Sequence, residues 1–291
     1  MYVLVLMALM QKRSYYIFFF LLLIVQLSGQ RGLEIGPWIG GSQYYGDLQT
    51  DLSLSDPGLA GGLNVRYNFD ERICLKGSLN YARVSANDND SPNSFERQRN
   101  LSFFSNIYDA SLQAEFNFLP YVHGSKDEWF TPYLFAGVSM FAFSPKTELN
   151  DITYNLRDFG TEGQAIGNEY SRFSRAVNFG IGFKWDVNFD WSINIEARMH
   201  HSQTDYLDDV SNVFPDLDAL AASRGVTAVS LSDRSIVSGI GERGRQRGNN
   251  QNKDSFVVFG VSFMKYFGSV ACPKVSGRRK KVRKHHSTLD W

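Results

Sequence analysis

Five aspartates crowd one stretch of this chain. The segment TDYLDDVSNVFPDLD carries Asp205, Asp208, Asp209, Asp216 and Asp218. Clustered carboxylate oxygens suit a hard cation such as calcium. The spacing lacks the glycine and terminal glutamate of a helix-loop-helix calcium loop, so solvated or capping aspartates are the stronger expectation. Asp205, Asp208 and Asp209 are then structural, holding loop arginines such as Arg224 or Arg234. A second stretch, GERGRQRGNNQNK (241–253), is basic and glycine-rich and reads as a mobile loop. Cys74 and Cys272 show no zinc or redox spacing and read as incidental. No cofactor-binding motif stands out.

Formal charge is zero, with 30 Lys/Arg against 30 Asp/Glu. That balance hides two basic ends. Residues 1–29 hold Lys12 and Arg13 and no acid, and residues 271–291 hold seven Lys/Arg and only Asp290. Removing both ends leaves 21 basic and 29 acidic residues, a net of −8. The first segment has a basic start, a short apolar run from Tyr15 to Val25 and small residues to Gly29, the order of a secretory signal. A signal beginning at Met10 is the more ordinary form. The expectation is cleavage near Gly29 and an exported protein. Export argues against nucleic acid as the partner of the Arg-Gly loop.

The elements that must position these residues are strands. From Val177 to Met199 every odd position is apolar, and every even position is polar, charged or glycine. Such period-two patterning marks strands with one apolar face. It recurs over 33–41, 58–69, 72–84, 105–118 and 253–267, while 131–143 is apolar on both parities and leaves its facing open. Counting 177–200 as two strands gives eight, most 10–14 residues long. That exceeds the ~5–6 of soluble strands and suits a tilted bilayer crossing of ~9–11 residues. The links alternate between short turns, near 70–72, 120–129 and 188–190, and long loops over 42–57, 85–104, 144–172 and 206–252. The expected fold is therefore an all-β, eight-stranded antiparallel up-and-down transmembrane barrel over 30–267. Constant odd parity across Asn188–Asp190 requires an odd-length turn. A soluble sandwich or lipocalin-like barrel would alternate too, with the apolar face inward. Large outward residues, and aromatics at the strand ends (Tyr67, Phe69, Phe118, Tyr121, Phe189, Trp191, Phe267), favour the membrane form, with lipid as the surrounding partner. A barrel of eight strands is filled by its own side chains. Lys76, Glu115, Lys184, Glu196 and Arg198 are thus expected to form an internal ion-pair network.

Several motifs carry a family resemblance: EIGPWIGGSQYYGDL (34–48), TPYLFAGVSMFAFSPK (131–146), GTEGQ (160–164), TDYLDDVS (204–211), LSDRS (231–235) and NKDSFVVFGVSF (252–263). In order and spacing they resemble the PorG-type outer-membrane barrel of the Bacteroidetes type IX secretion system. The resemblance implies an outer-membrane part of a protein-export machine. Its partners would be a periplasmic ring lipoprotein and that lipoprotein's own partner, with no catalytic role. The short turns at one rim and long loops at the other, independently of the resemblance, lead to the expectation that both termini are periplasmic. The chain departs from the family pattern in its tail (268–291), where Arg278, Arg279, Lys280, Lys281, Arg283 and Lys284 form either a solvated end or a docking segment. Two alternatives stand beside it. One is an adhesion or integrity barrel whose loops bind outside ligands. The other, minor, rests on His200 and Ser202, whose spacing is similar to that in outer-membrane lipid A deacylases, where an activated serine attacks an acyl ester.

Overall fold

The computed structural model describes residues 32–50 and 57–268; the signal-type segment, Cys272 and the basic tail lie outside them. Nine strands follow in chain order: β1 (Gly32–Tyr45), β2 (Gly58–Asn68), β3 (Ile73–Asn87), β4 (Ser102–Asn117), β5 (Phe130–Leu149), β6 (Ile152–Asn155), β7 (Phe173–Asp186), β8 (Trp191–Ser202) and β9 (Ser255–Gly268). Each long strand pairs antiparallel with its neighbours, and β9 pairs with both β8 and β1, which closes the ring. β6 is a short return strand against the far end of β5. The barrel proper has eight strands.

Local chemistry fixes the short turns. Asp70 Oδ1 accepts from the Arg72 and Ile73 N–H groups at 2.7 Å each, tying β2 to β3. Asn188 Oδ1 accepts from the Asp190 and Trp191 N–H groups, while the Val187 N–H donates to the Trp191 carbonyl at 2.8 Å. This makes a three-residue turn. Odd length keeps Phe183 and Ile195, cross-strand partners, on one face.

That face is the outside. Ile35, Leu63, Leu79, Leu112, Leu134, Val138, Phe179, Ile181 and Ile195 are all exposed. The polar parity, including Asn64, Arg66, Lys76, Gln113, Asn178 and Lys184, is buried within. An apolar exterior around a polar interior is the arrangement a bilayer selects. Aromatics gather at the short-turn rim, where Tyr67, Phe118, Phe189, Trp191 and Phe267 are exposed. Tyr121 departs from the expected girdle. It is buried, and its hydroxyl donates to Asp186, so it closes the rim from inside.

The strands are longer than a crossing needs; β5 alone has 20 residues against ~9–11. In the excess length the alternation reverses. On β3 the outward residues pass from Leu75 and Leu79 to Arg83, Ser85 and Asn87, while the inward ones pass from Lys76 and Ser78 to Ala82, Val84 and Ala86. Beyond the apolar band the barrel is built like a water-soluble protein. Its inner residues there, among them Phe103, Ile107, Phe141, Phe143 and Phe256, join one apolar cluster with Leu48, Leu101, Leu156, Leu207, Val210 and Leu231 of the long loops. The described loops carry three short α-helices: α1 (Ser94–Arg99), α2 (Leu217–Arg224) and α3 (Val226–Ser232). Asn93 and Asp216 supply the side-chain caps of α1 and α2. Together the loops form a packed cap over one mouth.

Candidate functional site: a sealed interior beneath a loop cap

The inward parity of six strands brings acids and bases together. Glu115 on β4 meets Lys184 Nζ at 2.6 Å, Arg66 Nε at 2.8 Å and Lys76 Nζ at 3.0 Å. Lys76 also reaches Glu196 Oε2 at 2.5 Å, and Arg198 donates to the other oxygen of Glu196. Arg66 bridges to Glu34 at 2.9 Å. From the β4–β5 link, His123 closes the chain of charges, with Nε2 3.2 Å from Glu34 and Nδ1 2.9 Å from Asp186. Burial works against a charge on His123, but the Asp186 and Glu34 carboxylates beside it outweigh that and raise its pKa to about 9. Buried ions persist only when paired and hydrogen-bonded. Here each acid has at least one cation.

All five residues expected to form an internal network sit in this cluster. Arg66, Glu34, His123 and Asp186 complete it and escaped the sequence reading. Arg66 shares the polar parity of Asn64 and Asn68, which was the available signal. His123 has none, because it lies in a turn.

β5 explains its own ambiguous pattern. Its inward face holds Tyr133, Phe135, Phe141 and Phe143, each fully or nearly buried. Lys184 Nζ lies 4.3 Å from the Tyr133 ring centre and Lys76 Nζ 4.8 Å from that of Phe135, so the aromatic faces contribute to holding the cations. The Tyr133 hydroxyl donates to Glu196 at 2.9 Å. Room for these rings comes from the neighbouring strand. Gly182 pairs with Tyr133 and Gly180 with Phe135. A Cβ at Gly182 would lie 2.4 Å from Tyr133 Cζ.

His200 and Ser202 both point inward and are buried. They do not pair. Ser202 Oγ donates to the Thr204 carbonyl at 2.8 Å, and His200 Nδ1 lies 3.3 Å from Ser139 Oγ with its ring stacked on Phe256. Asp109 approaches that same nitrogen at 3.9 Å. A nucleophile relay needs the base to use its two nitrogens for two partners. This one uses a single nitrogen for both, inside a closed wall.

The aspartate segment forms the heart of the cap. The Tyr44 hydroxyl lies 2.6 Å from Asp208 Oδ2 and 2.7 Å from Asp254 Oδ1. One phenol proton serves one of these contacts, so the other requires a proton on a carboxyl. Burial, then mutual repulsion with Asp254, pushes the Asp208 carboxyl well above the usual range, and Asp254 is raised mainly by burial. Asp209 accepts from Tyr170 at 2.7 Å and from Thr161, and burial raises it to about 6 against the opposing pull of Arg247. Asp205 accepts from Ser211 at 2.6 Å. Asp216 and Asp218 are at the start of α2. Among the described residues no three metal-type ligands converge.

The arginine that answers these acids is Arg247. Its Nη1 reaches Glu162 at 3.2 Å and the Asp209 carbonyl at 2.6 Å. Arg224 instead pairs with Glu169, and Arg234 donates to Ser102 and Thr147. The expectation of a mobile loop over 241–253 is corrected on the same ground. Arg247 is fully buried, and the N–H groups of Arg247 and Gly248 both donate to the Asn212 carbonyl. Composition suggested mobility, but a buried ion pair fixes the segment. Cys74 is a free, buried thiol 3.8 Å from Lys184 Nζ.

A closed antiparallel barrel with an apolar exterior, a charged and filled interior and a capped mouth defines a sealed transmembrane β-barrel of the outer-membrane type. The chain belongs to the family described as a domain of unknown function, DUF6089, whose model matches residues 12–241. No curated protein matches it in sequence. Among solved structures it is similar to the N-terminal β-barrel domain of Pseudomonas aeruginosa OprF, at 12% identity over 82% of this chain and 100% of that one, with a TM-score of 0.37. It is also similar to Neisserial surface protein A, at 12% identity over 80% and 96% with a TM-score of 0.40. The outer membrane protein OprG of Pseudomonas aeruginosa gives 10% identity over 84% and 100%, with a TM-score of 0.42.

Proposed function

We propose that this barrel is a non-catalytic outer-membrane component of the type IX protein secretion system, which anchors or stabilises a periplasmic ring. The observation that carries this reading is the sealed interior. Glu115 with its three cations, backed by Tyr133 and Phe135, fills the cross-section, so the barrel serves as a fixture and not as a conduit. The six motifs resembling PorG-type barrels support the assignment to that machine. The ring lipoprotein and its partner would meet the short-turn rim, around Asp70–Arg72, Lys126–Glu128 and Asn188–Asp190, or the basic tail from Arg278 to Lys284. Deletion is expected to trap cargo in the periplasm. Crosslinking and pull-down from outer membranes should recover ring components. Truncation after Phe267 then assigns the contact, since loss of capture places it on the tail and retention places it on the turns. Normal secretion after deletion would overturn the reading.

One observation favours a second reading, an adhesion barrel. The ordered cap contains a cleft of 670 Å³ lined by Tyr45, Asp47, Asn93, Arg99, Asn249 and Asn252, groups suited to polar outside ligands. On that reading deletion leaves secretion intact and reduces surface binding.

A further inference from the structure

The outer wall carries a second feature where the apolar band ends. On β2 to β7, excluding the return strand β6, outward-facing residues form aligned cross-strand rows. One row runs Leu63, Leu79, Ala110, Met140, Arg175, and the next runs Gly61, Tyr81, Tyr108, Ala142, Phe173. Small residues at Gly61, Ala110 and Ala142 lie between large ones and leave a groove of 670 Å³ that is apolar and open to the side. Cations flank it, Arg83 and Lys146 beyond the outer row and Arg175 at the edge of the inner one. Arg83 is two residues beyond Tyr81 on β3, with its guanidinium carbon 4.8 Å from the Phe104 ring centre. Lys146 pairs across strands with Phe104, and Arg175 sits beside Met140 on the opposite side. Arg83 and Arg175 are exposed, and none of the three cations ion-pairs with a carboxylate among the described residues. Glu148 is the one acid on these outward rows. An unpaired arginine on a lipid-facing wall is costly unless a lipid headgroup answers it.

We propose that this face docks one lipid whose headgroup bears two phosphates, with acyl chain in the groove and the phosphates at Arg83 and Arg175. The two arginines are three strand spacings apart across the sheet, about 14 Å, and four residues apart along it, about 13 Å, since the Arg83 row runs through Asn106 to Ser144 while Arg175 pairs with Met140; their Cα atoms are thus roughly 20 Å apart. That separation disfavours a single phosphate bridging both and fits an extended headgroup charged at each end. Lys146 lies two residues beyond the Arg83 row, toward the loops, as a third cation above the headgroup. The site lies on the barrel's exterior and depends neither on the secretion role nor on the cap cleft.

Native mass spectrometry of the full chain, released from nanodiscs of phosphatidylethanolamine with diphosphoryl or monophosphoryl lipid A, tests this. The wild type should retain one diphosphoryl lipid A. The Arg83→Gln/Arg175→Gln variant should retain it about twenty-five-fold less, at roughly fivefold per cation near a membrane surface. Monophosphoryl lipid A should fall between. Ala110→Trp, which fills the groove and leaves both arginines in place, should also lower retention, with heat-shifted gel mobility checking that each variant is folded. Equal retention of phosphatidylethanolamine, or unchanged retention in either folded variant, overturns the proposal.

Discussion

Glu115→Gln is the sharpest test of the sealed interior. The substitution keeps shape and removes one charge at the point where three cations meet. Their fates differ. Arg66 keeps Glu34 at 2.9 Å, and Lys76 keeps Glu196 at 2.5 Å. Lys184 keeps no carboxylate, only the Asn117 Oδ1 contact at 3.0 Å, the Cys74 Sγ contact at 3.8 Å and the Tyr133 face. The change therefore strands one ammonium in a site closed to water. Breaking a buried pair on one side costs about 3–5 kcal/mol, while replacing the whole pair by apolar groups is often neutral. Unfolding in urea of protein folded into vesicles, followed by tryptophan fluorescence, should show a loss in that range. Adding Lys184→Met to Glu115→Gln should then restore at least half of it. A single-variant loss below about 1 kcal/mol would refute the reasoning, as would losses that simply add in the double variant, since coupled neighbours do not behave so.

Arg247→Ala leaves Glu162 and the Asp209 carboxylate buried without their cation. Limited proteolysis should cut within 203–254, while the barrel keeps its folded gel mobility; an uncut cap would count against the ion pair as its fastener. His123 gives a pH dependence of definite sign. Its pKa is raised from 6.5 to about 9, so its contribution is fully present below 6.5, falls as pH rises from there, and is gone above about 9. That amounts to about 3 kcal/mol, and urea midpoints measured from pH 6 to 10 should decline less in His123→Gln than in the wild type.

Alternation made the strand order, the outward face and the polar lining legible, because side chains on a strand obey a period of two whatever surrounds them. Three particulars escaped it. The facing of β5 could not be read, because the residues that support Lys76 and Lys184 are aromatic, and patterning scores a cation's aromatic neighbour as apolar. Tyr121 looked like a girdle residue by position at a strand end, yet its hydroxyl is needed inside by Asp186. The cap was hidden for another reason. Arg247, Asp209 and Glu162 meet from sequence positions up to 85 residues apart, and loop composition carries no period that would betray such a meeting. Of the three loop aspartates expected to hold Arg224 or Arg234, only Asp209 meets an arginine, and that arginine is Arg247, a partner that folding selects and spacing does not reveal.

The reversal of alternation along β3 also has a mechanical meaning. Below the Tyr81–Tyr108 row, moving a residue out of the bilayer wets a leucine; above it, moving one in drags Arg83, Ser85 or Asn87 into hydrocarbon. Displacement is penalised in both directions, so the wall carries its own waterline. A barrel marked in this way rides at one height in a bilayer of varying thickness, and whatever is fastened to either rim inherits that height.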